Sequence, residues 1–310
     1  MIVLNLEPYG YSEQAKIKWN ELGVSYLESS WGDFKSQSIE QVGILIVRLS
    51  RQINEDVIRQ FPSLKFVVSA TTGLDHIDIQ CLENRGVKLI SLKGELDFLK
   101  TIPSTSEHTW ALLLALVRNI PSAMTDVRLG NWNRDQFRGF QLKGRKIGII
   151  GMGRTGSQVA QFAEVFGMTV LYFDPYVEGT PPFIRCASLT DMLSQSDIVS
   201  VHVHLSNDTN RMINADILSF AKEGSYWVNT SRGMIWDEQA VFDRLKSGWL
   251  KGVATDVLST EFAIVKMSPL WKALSEGMNV IITPHIGGAT WDAMWHCEEF
   301  LVDKMKGLLK

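Results

Sequence analysis

The segment Lys146–Pro175, KIGIIGMGRTGSQVAQFAEVFGMTVLYFDP, limits what this chain can fold into more than any other stretch. An apolar run through Ile147, Ile149 and Ile150 leads straight into Gly151-Met152-Gly153-Arg154-Thr155-Gly156. A helical pattern follows, and a second apolar run ends at Asp174. Strand, glycine turn, helix, strand and acid, in that order, answer the needs of a bound dinucleotide. Gly151 permits the tight turn, Gly153 lets a pyrophosphate approach the backbone, and Gly156 lets the helix pack closely on the strand. The helix N-terminus offers N–H groups and a partial positive charge to phosphates. Arg154 is expected to face the pyrophosphate, with Thr155 beside it in the cofactor-binding turn. Asp174 stands at the spacing expected of the acid that accepts hydrogen bonds from an adenosine ribose. Its carboxylate would repel the extra phosphate of NADP, and Pro175-Tyr176 brings no cation to welcome one, so NAD is expected over NADP. Three glycines at these offsets also occur by chance in ordinary strand–loop–helix connections. The flanking strands, the helix and the terminal acid together favour dinucleotide binding.

A chain of 310 residues is long for one core and suits two domains. Hydrophobic residues make up 45% and charged residues 21%, with a net charge of −3, as in a globular protein without a polyanion partner. No Lys/Arg cluster suggests nucleic acid. Cys81, Cys186 and Cys297 are widely separated and form no CxxC pair. That spacing argues against a zinc site or a disulfide framework, and fits a reducing, cytoplasmic setting. The opening MIVLNLEPYG reads as a first strand and not as a signal peptide. The longest apolar stretch, Trp110 to Val117, falls well short of a membrane span.

Strand and helix signals alternate along the first hundred residues. Val3–Leu6, Gly43–Val47, Lys65–Ser69 and Val87–Ile90 read as buried strands; Glu13–Leu22, Glu55–Arg59 and Asp78–Arg85 read as helices. Such alternation implies an α/β fold with a parallel sheet. A long helical pattern starts at Ser104, which is expected to cap it with Glu107 as the box partner. After the loop Leu129–Leu142, further strands are expected at Ile198–Val203, Ser225–Asn229, Gly252–Val257 and Val280–Ile282. Helices are expected at Leu189–Leu193, Asn214–Phe220 and Asp237–Lys246, and a last one at Trp291–Leu309 after Gly287-Gly288.

Seven stretches in order make the chain resemble the D-isomer-specific 2-hydroxyacid dehydrogenase family. They are LKFVVSATTGLDHID (64–78), TSEHTWALLLALVRN (105–119), the glycine loop, SDIVSVHVHLSNDTNRMIN (196–214), YWVNTSRGMIWDEQAV (226–241), GVATDVLSTE (252–261) and TPHIGGAT (283–290). The resemblance implies two doubly wound parallel-sheet domains with a cleft between them. One is a Rossmann NAD domain over 102–285. The other is a flavodoxin-like substrate domain over 1–101 and 286–310, to which the last helix returns.

The implied reaction interconverts a small 2-keto acid and its D-2-hydroxy acid, with NADH as hydride donor. His285, after Thr283-Pro284, is then the proton donor, since imidazole gives and takes protons near neutral pH. Glu261 matches the acid that pairs with it, stabilising imidazolium and fixing the ring. Arg232 matches the substrate arginine, whose planar fork holds a carboxylate and polarises the reacting carbonyl. Taken alone, such an Arg reads as a surface charge and such a His as structural; the motif context makes the difference.

The same resemblance implies that Thr72, Gly73 and Leu74 hold the substrate carboxylate through backbone N–H groups. It places Asp256 on the nicotinamide side of NAD and Thr230 in the same region, and gives His202 and Thr209 as matches around the cofactor. His204 stands where the family commonly has Pro and reads as structural, as do His76 and His108. Phe262 occupies the place after Glu261 where the family commonly has Pro, so the loop 262–268 is expected to take its own path. Trp291 and Trp295 read either as a pocket wall or as helix core and interface. A homodimer through the cofactor domain is the family habit. The long phosphoglycerate dehydrogenases carry a further regulatory domain, for which no sequence remains here, whereas a short form stays open. Formate and phosphite dehydrogenases differ around the catalytic His and in the substrate loop. An NAD-sensing scaffold is the competing reading, because a fold does not fix a function. The Arg, Glu and His set favours an enzyme.

Overall fold

The computed structural model describes every residue except 32, 34–38, 180, 262 and 310. The chain divides into two compact units, Met1–Ile102 with Ala289–Lys310, and Pro103–Gly288.

The first unit is built on five parallel strands: β1 (Ile2–Asn5), β2 (Ser25–Glu28), β3 (Val42–Val47), β4 (Phe66–Ser69) and β5 (Lys88–Ser91), in spatial order β2-β1-β3-β4-β5. This is the flavodoxin-like order, which reverses direction between β1 and β3. β3 and β4 are buried throughout, which is why they read as unbroken apolar runs in the sequence. β2 was not foreseen. It is an edge strand with mostly exposed side chains, and a half-polar SYLE gives little pattern to find. One face of the sheet is closed by the helices Glu13–Glu21 and Trp291–Lys306. Trp19, Val3, Ile44, Cys297, Leu301 and Met305 share that core, so the last helix completes the first unit. The other face packs on Ile53, Ile58, Phe61 and Leu82.

The second unit has seven parallel strands: β6 (Lys146–Ile150), β7 (Thr169–Phe173), β8 (Ile184–Arg185), β9 (Ile198–Val201), β10 (Ser225–Asn229), β11 (Leu250–Thr255) and β12 (Val280–Ile282). Their order, β12-β11-β10-β9-β6-β7-β8, is the Rossmann order extended by one strand. The two faces carry separate cores, one around Trp227, Trp236 and Val253, the other around Leu113, Ile149, Val159 and Tyr172. The two-residue strand β8 escaped the sequence reading because two exposed residues carry no periodicity.

The helix Ser104–Val117 corrects one expectation. Pro103, not Ser104, occupies the cap position, and no side chain caps it. The Pro103 carbonyl accepts from Ser106 N–H at 2.8 Å and Glu107 N–H at 3.0 Å. Those backbone bonds leave Ser104 as the first helical residue. Asn119, in left-handed backbone (φ 54°), then separates this helix from Ile120–Arg128.

Among the described residues no helix is long and apolar enough to cross a membrane, and no cluster of His, Cys, Asp and Glu is arranged to hold a metal ion. Trp227 is fully buried in β10, the strand that leads to Arg232. Trp227→Ala leaves a large cavity and is expected to cost about 3–5 kcal/mol, read as a fall in chemical-denaturation midpoint.

Candidate active site

The glycine turn is shaped by close approaches. Gly151 has φ +89°, and a Cβ there would lie 2.7 Å from the His202 carbonyl oxygen and 2.8 Å from Val203 Cγ1. A Cβ on Gly156 would run into the Gly151 carbonyl oxygen. Neither position tolerates a side chain. Gly153 is different: a Cβ there would meet no protein atom within 4 Å. That leaves the backbone open on the side where the helix Arg154–Val165 begins. An open backbone beside a twelve-residue helix N-terminus fits a dinucleotide's phosphates. Arg154 is the first residue of that helix, and the Thr155 carbonyl accepts the Ser106 hydroxyl at 3.5 Å.

Asp174 ends β7 and ties this turn together. Oδ2 accepts from Met152 N–H at 2.8 Å, and Oδ1 accepts from Tyr176 N–H at 2.8 Å and Val177 N–H at 3.2 Å. Each carboxylate oxygen has more than one lone pair, so the group keeps acceptor capacity for a ribose hydroxyl. Arg185 on β8 donates to the Asp174 carbonyl oxygen at 3.3 Å. No sequence pattern points to this cation, because β8 pairs with β7 only in space. His202 Nε2 lies 2.8 Å from Ser200 Oγ. Burial pushes its imidazole down to about 3, so it is neutral at physiological pH. Thr209 folds onto its own loop, with Oγ1 donating to the His204 carbonyl at 2.6 Å.

Three neighbouring strands then bring the expected catalytic residues to one edge. Asn229 of β10 pairs with Thr255 of β11, and Thr255 with Ile282 of β12. The loops after these three carboxyl ends carry Arg232, Asp256 with Glu261, and His285. Open α/β sheets bind ligands at this end.

The Arg232 turn is held by Asn229, whose Oδ1 accepts Ser231 N–H at 2.9 Å and whose Nδ2 donates to the Arg232 carbonyl at 3.0 Å. Thr230 Oγ1 lies 2.8 Å from Thr109 Oγ1. Gly233 comes next, and a Cβ there would collide with the backbone of Leu258 and Ser259. Only glycine lets the Arg232 turn lie against the loop that leads to Glu261. That loop is anchored by Glu238, a buried acid that the sequence reading passed over. Glu238 Oε1 accepts Ser259 N–H at 2.6 Å, and Oε2 accepts the Ser268 hydroxyl at 2.6 Å. Both ends of the segment 259–268 are thus fixed to one carboxylate. Phe262 itself lies outside the described residues; Val265–Met267 form a 3-10 turn.

His285 Nδ1 sits 3.1 Å from Glu261 Oε2, with the side chains 24% and 21% exposed. The pair is therefore sheltered yet reachable. His285 has φ 55°, a left-handed conformation that costs a non-glycine residue roughly 1 kcal/mol or more and persists only where the surroundings impose it. Asp256 imposes it. The Asp256 carbonyl accepts His285 N–H at 2.8 Å. Oδ1 accepts Ile286 N–H at 2.9 Å and the Thr283 hydroxyl at 2.6 Å, while Oδ2 accepts Gly287 N–H at 2.7 Å. His108 Nε2 lies 3.2 Å from Oδ1 and 3.0 Å from Thr283 Oγ1. Asp256 is 2% exposed. Burial alone would raise its carboxyl, but His108, Thr283 and the two N–H donors outweigh burial and hold it below the usual carboxylate range.

Thr72, Gly73 and Leu74 follow β4 in the first unit. Nearby, Ser69 Oγ lies 2.9 Å from Thr71 Oγ1, and the Leu74 carbonyl accepts Ile77 N–H at 2.9 Å.

Comparison with known proteins places the chain within a family. Residues 110–287 match the family described as D-isomer specific 2-hydroxyacid dehydrogenase, NAD binding domain. The chain is 36% identical over 252 residues to D-3-phosphoglycerate dehydrogenase of Bacillus subtilis, covering 80% of this chain and 46% of that protein. It thus spans less than half the length of that relative. It is 32% identical over 267 residues to hydroxypyruvate reductase of Thermotoga maritima, covering 86% and 85%. Among solved structures, D-lactate dehydrogenase of Aquifex aeolicus complexed with NAD and lactic acid superposes with a TM-score of 0.78. It shares 25% identity and covers 99% of this chain and 95% of that one.

A carboxylate whose folded-state value is lowered adds stability above its unfolded value, near 3.9, and loses it as pH falls through the folded value. The expected outcome for Asp256→Asn is a protein less stable at pH 7 than the wild type. The wild type loses stability below about pH 4, and the variant loses less over that range. Thermal melts at a series of pH values check this.

Proposed function

The chain belongs to the D-isomer-specific 2-hydroxyacid dehydrogenase family, and from that premise we propose that it is an NAD(H)-dependent reductase of a small 2-keto acid. The observation that carries this reading is the His285–Glu261 contact at 3.1 Å, with the loop that bears Glu261 packed against the Arg232 turn at Gly233. Hydroxypyruvate, glyoxylate and related acids are the substrates we propose, and the names of the Thermotoga and Bacillus relatives point to the same chemical class.

When bound, NADH supplies the hydride that reaches the keto carbon. The chain's residues do the rest. Glu261 holds the Nδ1–H of His285, which fixes the tautomer and leaves Nε2 to carry the moving proton. His285 gives that proton to the keto oxygen as the hydride arrives, and takes it back in the reverse direction. Arg232 binds the carboxylate through two parallel N–H donors and draws charge toward the reacting carbonyl. Thr72, Gly73 and Leu74 add backbone N–H donors for the same carboxylate. Gly151, Gly153, Arg154, Thr155 and Gly156 hold the pyrophosphate; Asp174 takes the adenosine ribose and disfavours NADP. His202, Thr209 and Thr230 line the cofactor. Asp256, placed by resemblance on the nicotinamide side, acts here mainly by holding the His285 turn. Cys81, Cys186 and Cys297 form no disulfide, which suits a cytoplasmic enzyme.

NADH oxidation with a panel of 2-keto acids tests the assignment. His285→Ala is expected to lower kcat by about 10²–10⁴-fold. Arg232→Ala is expected to lower kcat/KM by about 10²–10³-fold. NADH binding by fluorescence should survive both changes. A wild type that binds NADH and reduces no 2-keto acid would hand the case to the NAD-sensing scaffold.

We also propose a homodimer through the second unit. The helix Ile120–Arg128 has no buried residue. Ile120, Met124 and Val127 are 45%, 51% and 51% exposed, and Leu129 and Trp132 follow at 75% and 85%. An apolar stripe of that size on a soluble surface marks a contact face. Met124→Glu is expected to shift the protein from dimer to monomer in sedimentation velocity.

A further inference from the structure

The helix Ser104–Val117 of the second unit has two polar sides near its start. On one, the Ser106 hydroxyl donates to Gln158 Oε1 at 2.7 Å and the Trp110 indole N–H donates to the Val159 carbonyl at 3.2 Å. The Trp110 ring also stacks on Phe166, with centroids 4.7 Å apart. These contacts fasten it to the helix Arg154–Val165, which begins at the glycine turn. On the other side, Thr105, His108 and Thr109 are spaced to share a face.

The neighbours of that face decide where its hydrogens go. The Thr109 hydroxyl gives its one hydrogen to the Thr105 carbonyl at 2.8 Å. Across the 2.8 Å contact with Thr230, the Thr230 hydroxyl is therefore the donor. The same reasoning fixes His108. Thr283 gives its hydrogen to Asp256 Oδ1 at 2.6 Å, so it can only accept from His108 Nε2, 3.0 Å away. Burial raises the Asp256 carboxyl, but its donors, His108 first among them, hold it below the usual carboxylate range. Ionised, it too can only accept from Nε2, at 3.2 Å. Both contacts require a hydrogen on Nε2. His108, which the sequence alone reads as structural, is thus committed as a donor to the acid that holds the His285 turn.

That turn is confined between the same groups. A Cβ on Gly287 would lie 3.0 Å from Asp256 Oδ2 and 3.5 Å from both His108 Cδ2 and Thr105 Cγ2. The Asp256 and His108 side chains are 2% and 17% exposed, so water is poorly placed to replace the imidazole. A buried carboxylate short of a donor relaxes by turning or by taking a proton, and either change loosens its hold on the left-handed His285.

We propose that His108 is a positioning residue for the proton-transfer step: through Asp256 it keeps the His285 imidazole on Glu261. This rests on the reductase reading above and deepens it.

Two readouts test it. Long-range proton–nitrogen correlation spectra of protein labelled at histidine show which ring nitrogen carries each proton, without any turnover. At about pH 8, above the ordinary imidazole range, the wild type is expected to show His108 protonated at Nε2 and His285 at Nδ1. His108→Leu is expected to turn the single His285 form into a mixture of tautomers. His108→Gln, whose amide N–H can reach the same acceptors, is expected to keep it. In parallel, His108→Leu is expected to lower kcat for hydroxypyruvate by about 10–100-fold with KM changed less than about twofold, and His108→Gln to recover most of the loss. If His108→Leu fails to fold, the wild-type His108 tautomer and His108→Asn, whose amide is too short to reach, decide. A wild-type His108 protonated at Nδ1 alone overturns the proposal. So does a lowered melting temperature in His108→Leu with kcat and the His285 spectrum unchanged. A wild type that reduces no 2-keto acid, with the spectra as expected, overturns the reductase reading and leaves the hold of His108 on His285 standing.

Discussion

Both carboxylate oxygens of Asp256, at the carboxyl end of β11, are spent on one short turn. Their donors are the Thr283 hydroxyl and the N–H groups of Ile286 and Gly287. That turn has no regular ladder to hold it, and its central residue sits in left-handed backbone. Charge-assisted hydrogen bonds to a desolvated carboxylate are among the strongest a protein makes, which is what a strained turn requires. The proposed proton donor is fixed because the acid beneath it has no solvent alternative. Its partner Glu261 would otherwise face an imidazole free to rotate away.

The same device recurs wherever a loop must keep its shape. Asp174 accepts from the N–H of Met152 in the glycine turn. Glu238 pins the start and finish of the segment that bears Glu261. Glu298 accepts from Ser12 at the start of a helix of the first unit. Each of these acids is buried. Burying a charge is costly unless hydrogen bonds replace its water, so each placement implies that the loop order is worth the desolvation.

The central strands and helices were legible because their patterns are local. Ser225–Asn229 and Val280–Ile282 fall where the apolar runs predict, and the glycine turn follows from three spacings. The seven ordered motifs carried the family. What escaped was non-local. β2 and β8 are short edge strands defined by their neighbours. Arg185 meets Asp174, and Glu238 reaches Ser259 and Ser268, only through the fold. Gly233 read as part of a motif; its reason, the backbone of Leu258 and Ser259 pressed against it, needs coordinates. Asp256 was expected beside nicotinamide by resemblance. Its burial and its four donors around the His285 turn could not be read from a single aspartate after a strand.

The composition of the first unit's core has a consequence for biosynthesis. Val3 and Trp19 share that core with Ala293, Cys297, Leu301, Val302 and Met305. The ribosome therefore delivers the opening hundred residues long before the helix that closes over them. The middle of the chain, Pro103–Gly288, is continuous and is born with its own core complete, so it can settle first. The N-terminal half-layer must wait, with one apolar face uncovered, until the helix Trp291–Lys306 has been made. During that interval the nascent protein is most exposed to chaperones and to misassociation.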